Sequence, residues 1–380
     1  MISVISVLVL SGALGVDLVP AENVEHVRVY YREGRFGGWP ANHGMWSWGD
    51  EILVGFTDGV YKNLADRHHI DREAPENHYL ARSLDGGVTW TISDPGKNGD
   101  LLIGDGGFLH GIVRTDVKIP ELRDCPGGVP FTHPDFTMTV RTNNIDAGES
   151  RFWYSTDRGK DWEGPFRLPN FGYPGTAART DYHVEGPERC TLFLTAAKSD
   201  GEEGRLICVR TVDGGKTWTR VSEIGLEMAD GFVIMPASVR LDEDSYYVTA
   251  RVHQGETKRW ISAYRSDDDG ATWQEMPNPA DDCGVGNPPA LIRLRDGRLC
   301  ITYGYRAKPF SMYARLSSDE GKTWGPIYVL RDDGQATDIG YPRMVQRADG
   351  KVVVLYYFTD AKTGPERYIG ATIWEVPGAR

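Results

Sequence analysis

The sequence predicts an all-β chain folded as a six-bladed β-propeller, and three observations point there. One pattern, Ser/Thr-x-Asp-x-Gly-x-Thr-Trp, recurs five times: SLDGGVTW at 83–90, STDRGKDW at 155–162 (Asp in place of the second Thr), TVDGGKTW at 211–218, SDDDGATW at 266–273 and SSDEGKTW at 317–324. The Trp-to-Trp steps of 72, 56, 55 and 51 residues each leave room for about four strands with loops, which is one blade. Past Trp324 the chain continues in strand-like runs without a further copy, as a last blade needing a strand from elsewhere would.

Each blade is justified in turn by the same local physics. The runs HYLAR, SRFWY, RLICVR, WISAYR and SMYARL precede the five copies and read as strands. In each copy the Ser or Thr and Asp oxygens accept backbone N–H bonds, Gly takes the positive φ, and Trp anchors the hairpin turn. The sixth blade is read in YPRMVQRADGKVVVLYYF and RYIGATIWEV, which supply three strands. Its fourth is expected from VEHVRVYY at 24–31, so that first and last strands pair and close the ring. Residues 23–380 therefore form one domain, and residues 1–22 are a leader or an extension.

Composition limits the partners. The 45 Gly, 22 Pro, 18 Tyr and 11 Trp suit tight turns and aromatic blade faces. A formal net charge of −12 argues against nucleic acid, which needs a basic stripe, but a local arginine cluster still suffices for a small acidic ligand. Five widely spaced cysteines without a CxxC, Cys125, Cys190, Cys208, Cys283 and Cys300, point to buried thiols rather than a metal or redox motif. A bridge between Cys190 and Cys208 is the alternative. ISVISVLVLSGALG has the apolar run and small residues of a secretory leader but no basic start, the first Arg being Arg28. Secretion or a periplasmic location is the expectation, weighed against a cytoplasmic one. No segment reads as a membrane span.

The repeated turns, the blade count and the closure resemble the sialidase (neuraminidase) superfamily, with its Asp-box or BNR repeats, over residues 24–376. The resemblance implies an exo-acting glycoside hydrolase that removes a terminal acidic sugar, a sialic acid or a close relative, from a glycan. It calls for guanidinium groups around the sugar carboxylate, a general acid, and a Tyr nucleophile with a Glu to draw off its proton. No cofactor is implied. Asp71, twelve residues before Ser83, matches the family's general acid. Tyr341, in DIGYPRMVQRADG at the head of the last blade, matches the nucleophile. Arg251, closing DSYYVTAR, and Arg306, in CITYGYRAKPF, match members of the carboxylate clamp, with Arg315 in reserve.

The departures are as specific. Where the family has Arg-Ile-Pro, this chain reads Gly38, Trp39 and Pro40, with Arg35 the nearest substitute. VGFTDGVYK lacks the further Arg, and VIMPASV has Met235 and Pro236 where the activating Glu belongs. The replacing stretch, GGWPANHGMWSWGD, offers Trp39, Trp46 and Trp48 as stacking faces and Asn42 and His43 as polar groups. His43 supports a second expectation, a lyase or glycosidase acting on a uronate-containing polysaccharide. A third is a non-catalytic sugar-binding propeller. His68, His69, Asp181 and His183 are further candidates for the cleft. Asp71 with His68 and His69 offers metal-binding atoms, but their spacing demands no metal.

Overall fold

The computed structural model describes residues 10–11, 16–64, 68–103 and 110–378. Six sheets are arranged as predicted, in a closed ring of blades. The fourth is the simplest: Gly231–Arg240, Tyr246–Gln254, Lys258–Ser266 and Gln274–Ala280 form one antiparallel meander. In the sixth, Gly340–Gln346, Val352–Phe358 and Tyr368–Trp374 are completed by Val24–Tyr30, which pairs antiparallel with Tyr368–Trp374. This is the predicted closure. The fifth blade carries an addition: Asp17–Pro20 lies parallel to Ile327–Arg331 at its outer edge. No described helix is long and apolar enough to cross a membrane.

The repeated turns are built as their side chains demand. In the first copy Ser83 Oγ accepts the Gly87 N–H at 2.8 Å. Asp85 Oδ1 takes the Thr89 N–H at 2.9 Å, and Asp85 Oδ2 takes the Thr89 hydroxyl at 2.6 Å. Gly and the residue before it both have positive φ in every copy, so Arg158, Asp269 and Glu320 share that strained region with the glycines. All five cysteines are free and buried. The alternative bridge is corrected by register: Cys190 lies opposite Thr211 and Cys208 opposite Phe193, so the two thiols are not cross-strand neighbours.

Two irregularities shape the middle of the ring. Three inner strands are broken by a non-glycine residue in the left-handed region: Trp39 (φ 54°), Met235 (φ 56°) and Tyr341 (φ 49°). The register slips beside Met235 and beside Tyr341, and a 3₁₀ turn, Pro40–Asn42, follows Trp39. These bulges bring Trp39, Ile234, Met235 and Tyr341 into one buried cluster. The second blade differs from the four-stranded expectation. Among the described residues it has three strands, Thr137–Thr142, Ser150–Ser155 and Glu163–Arg167, and the innermost of these pairs with one described strand only. The place of an inner strand is filled by side-chain and main-chain contacts from its neighbours. Thr139 Oγ1 donates to the His43 carbonyl at 2.8 Å, and the Val140 N–H donates to Thr180 Oγ1 at 3.0 Å. The preceding stretch, rich in Pro and Gly (CPGGVPFTHP), is poor strand material.

Candidate active site

Tyr341 stands on its bulge because Asn287 holds it there. Asn287 Oδ1 accepts the N–H groups of Tyr341 (3.0 Å) and Gly304 (3.2 Å), and its Nδ2 donates to the Ile339 carbonyl at 2.8 Å. Gly340 (φ +101°) lets the backbone approach, since a Cβ there would lie 2.4 Å from Asn287. Around the phenol, Arg251 Nη1 donates to the Tyr341 hydroxyl at 3.2 Å, and the Arg306 guanidinium sits 5.2 Å from the ring centroid. Behind them, Arg306 Nη2 donates to the Tyr357 hydroxyl (2.5 Å), which donates to Asp338 Oδ1 (2.5 Å). His68 Nδ1 is 2.6 Å from the same oxygen. Burial alone would raise the Asp338 pKa, but the His68 ring, Arg306 and Arg367 outweigh it and hold this carboxyl far below its usual range.

A small cavity of about 30 Å³ is lined by polar groups of the first blade, among them Asn42, His43, Thr57, Glu76 and His78, together with Arg141 and Arg179. His110 also lines it, its ring packed on Trp39 at 4.1 Å between centroids. His43 Nε2 lies 2.9 Å from Thr57 Oγ1, and Thr57 donates to Glu76 Oε1 at 3.1 Å. That direction makes Nε2 the protonated nitrogen of His43. His43 Nδ1 is buried and has no hydrogen-bond partner among the described residues. His78 Nε2 is 3.3 Å from the same Glu76 oxygen, and Arg141 hydrogen-bonds His78 Nδ1. Burial, and after it Arg141, lowers the His43 pKa well below its ordinary value, so the ring is neutral near pH 7. Burial pushes His110 down to about 3. For Glu76, burial is outweighed by the His78 hydrogen bond and charge, and the carboxyl titrates below its usual range.

The remaining candidates separate clearly. Asn42 lines this cavity, its Oδ1 accepting from Arg179 Nε at 3.1 Å. Trp39 is fully buried against Phe36, His68, His110 and Tyr357, so it supports the mouth rather than offering a free face. Trp46 and Trp48 donate to the Tyr182 hydroxyl and the Pro134 carbonyl. Asp71 sits in a surface turn, where its Oδ1 accepts the Glu73 N–H and Lys62 Nζ, each at 3.1 Å. Those bonds lower its pKa, which is opposite to the need of a general acid. Arg35 is paired with Asp58 inside the first blade, and Arg315 donates to the Pro279, Trp324 and Gly325 carbonyls. His69 accepts the Leu64 N–H. His68 bonds Asp338 and Asp71 bonds Lys62, so these three do not converge on a metal. His183 meets Ser238 at 2.8 Å, and burial raises Asp181 to about 7 against the pull of Arg343.

Sequence reasoning missed Glu76, Glu203, Asn287 and Asp338. Glu203 is a buried carboxyl whose Oε1 accepts from Arg179 Nη1 at 2.8 Å. Its pKa is raised by burial, opposed by Arg179 and Arg251. The available signals were local: Glu76 lies in the same loop as Asp71, and Asp338 opens the run that contains Tyr341.

The ring of blades and the bulged inner strands define a sialidase-like propeller of the BNR class. Residues 135–354 match the family described as the BNR repeat-like domain, and the chain belongs to that family. A Paenibacillus xyloglucanase is 26% identical over 189 residues, which are 44% of this chain and 17% of that protein's length, so only a small part of that relative is spanned. Among solved structures, a Dyadobacter fermentans protein of unknown function superposes with a TM-score of 0.68 at 21% identity, covering 93% of this chain and 100% of its own. A Streptococcus pneumoniae sialidase gives 0.57 at 12% identity (94% and 70% covered). A Penicillium chrysogenum α-L-arabinanase gives 0.58 at 12% (93% and 99% covered). At these identities the superpositions show the shared fold.

Proposed function

We propose that the protein is a glycoside hydrolase that removes a terminal acidic sugar, a sialic acid or a close relative, from a glycan at the mouth of the ring. The observation behind this reading is the convergence of Arg251 and Arg306 on Tyr341. Two guanidinium groups beside one phenol suit a sugar carboxylate adjoining the anomeric carbon, with Tyr341 as nucleophile or charge stabiliser. Among known glycosidases, the sialidase and arabinanase above share the fold, which agrees with the class though not with a particular sugar. Asp71 is engaged by Lys62, so the general acid falls to Glu203, the buried carboxyl with a raised pKa within electrostatic reach of Arg251. The test is release of fluorophore from a sialoside beside a neutral galactoside. The wild type should cleave only the sialoside, and Arg251→Ala should lower kcat/KM about a hundredfold through the lost charge-assisted contact. Equal cleavage of both sugars would sink the acidic-sugar reading.

A second reading rests on His43. Thr57 and Glu76 fix its tautomer while burial and Arg141 keep the ring neutral, with Nδ1 free of partners among the described residues, which suits a base abstracting a proton beside a uronate carboxylate. A uronate-bearing oligosaccharide cleaved by the wild type and not by His43→Ala would favour it. Unchanged activity in His43→Ala would remove it.

A further inference from the structure

We propose that the groove between the third and fourth blades is a second carbohydrate site, which holds a neutral, flat-faced stretch of oligosaccharide outside the mouth. This goes beyond the function proposed above and does not depend on turnover. On the strand Lys258–Ser266, alternation puts Trp260, Ser262 and Tyr264 on one face. With Trp273, Met228 and Glu275 they line a groove of about 410 Å³, within the roughly 300–1,000 Å³ of small-ligand sites.

The walls are fixed in place. Trp273 Nε1 donates to Ser222 Oγ at 2.9 Å, and that hydroxyl donates to the Gly270 carbonyl at 2.5 Å, tying the third blade to the fourth. Gly225 (φ +67°) closes one end against Tyr264, whose ring a Cβ would meet at 2.7 Å. Trp260 and Trp273 are half-buried, each keeping part of its surface in solvent. Leu226, at the rim, is 89% exposed. The Glu275 backbone pairs with Tyr264, and its side chain makes no hydrogen bond or ion pair among the described residues, so the carboxylate is free to accept.

That combination matches a pyranose. Its C–H faces pack on indole, and its peripheral hydroxyls donate to carboxylate oxygens. Glu275 at the rim repels an acidic sugar, which favours a neutral one, while Glu223 is already paired with Arg205 and Arg220. The groove shares a strand with the proposed mouth, on its opposite face. Arg251 bonds Tyr341 while the next residue, Val252, lines the groove, so one strand serves both places.

Tryptophan-fluorescence titration with cellotetraose tests this on the full chain. We expect a saturable change in the wild type and in Tyr341→Phe, and a response weakened about tenfold or more in Trp260→Ala through the lost stacking face. The exposed Glu275→Gln, which leaves the walls intact, should weaken it less. No saturable change in the wild type, or an undiminished one in both groove variants, would overturn the proposal. So would binding of tetramethylammonium in place of cellotetraose, which marks a cation cage. Loss in Tyr341→Phe alone would assign the signal to the mouth.

Discussion

Tyr341 shows how a single side chain is placed by a buried residue behind it. Asn287 is fully buried and satisfies two backbone N–H groups and one carbonyl, so Asn287→Ala orphans all three. The expected cost is at least about 2 kcal/mol, since each unsatisfied buried group costs roughly 1–3; denaturant unfolding checks it. The buried imidazoles set a second expectation. His110 titrates near 3 and His183 near 4, both below the ordinary histidine value of about 6.5. A lowered histidine pKa means the unfolded chain binds protons first, so stability is full above about pH 6.5 and falls as pH drops towards 4. A urea midpoint measured from pH 7.5 to 4 should decline over that window and flatten in His183→Gln. Tyr341, Arg251 and Arg306 were legible because each closes or heads a strand-like run. Asp71 followed from its spacing of twelve residues before Ser83, and such spacing says nothing of which carboxyl in that loop is buried. Lys62, nine residues upstream, captures Asp71, and three blade-one groups capture Glu76.

At the scale of the element, the repeated turn is the part most fully written in the sequence, because all its bonds are local. The serine, aspartate and glycine that read as a hairpin signal make those contacts, and Asp85 and Asp319 titrate near 2 because the Thr89 and Thr323 hydroxyls donate to them. These depressed carboxyls lend stability above about pH 4 that is lost between about 4 and 2, a window that begins below that of His183 and overlaps the end of that of His110. Gly321→Ala should destabilise the fifth blade by about 1–3 kcal/mol, because φ is +84° and a Cβ would lie 2.3 Å from the Tyr247 ring. A lowered melting temperature checks it. That the second blade has only three strands among the described residues was not legible. The long first step gave the residues, but prolines withhold the ladder donors and neighbouring blades supply the contacts instead. The cavity of His43 and Glu76 is lined by residues far apart in the sequence, from Asn42 to Arg179, which no pattern along the chain could announce.

For the whole molecule, closure is the property on which the mouth depends. Val24–Tyr30 pairs with Tyr368–Trp374 and joins the two ends of the ring, so the sixth blade holds Tyr341 against blades four and five only while that strand stays paired. A chain lacking residues up to 31 should lose cooperative unfolding and associate through the bared edge, as light scattering and circular dichroism would report. The same ring carries a net charge of −12, so the two guanidinium groups at its mouth are a local exception that a salt-dependent KM for an acidic substrate should reveal. The most direct measurement is kcat/KM for a fluorogenic sialoside in the wild type and in Tyr341→Phe, which removes one oxygen and leaves the packing unchanged. We expect measurable wild-type turnover and a loss of at least about a hundredfold in the variant; turnover that survives the substitution intact would contradict an active site built on Tyr341.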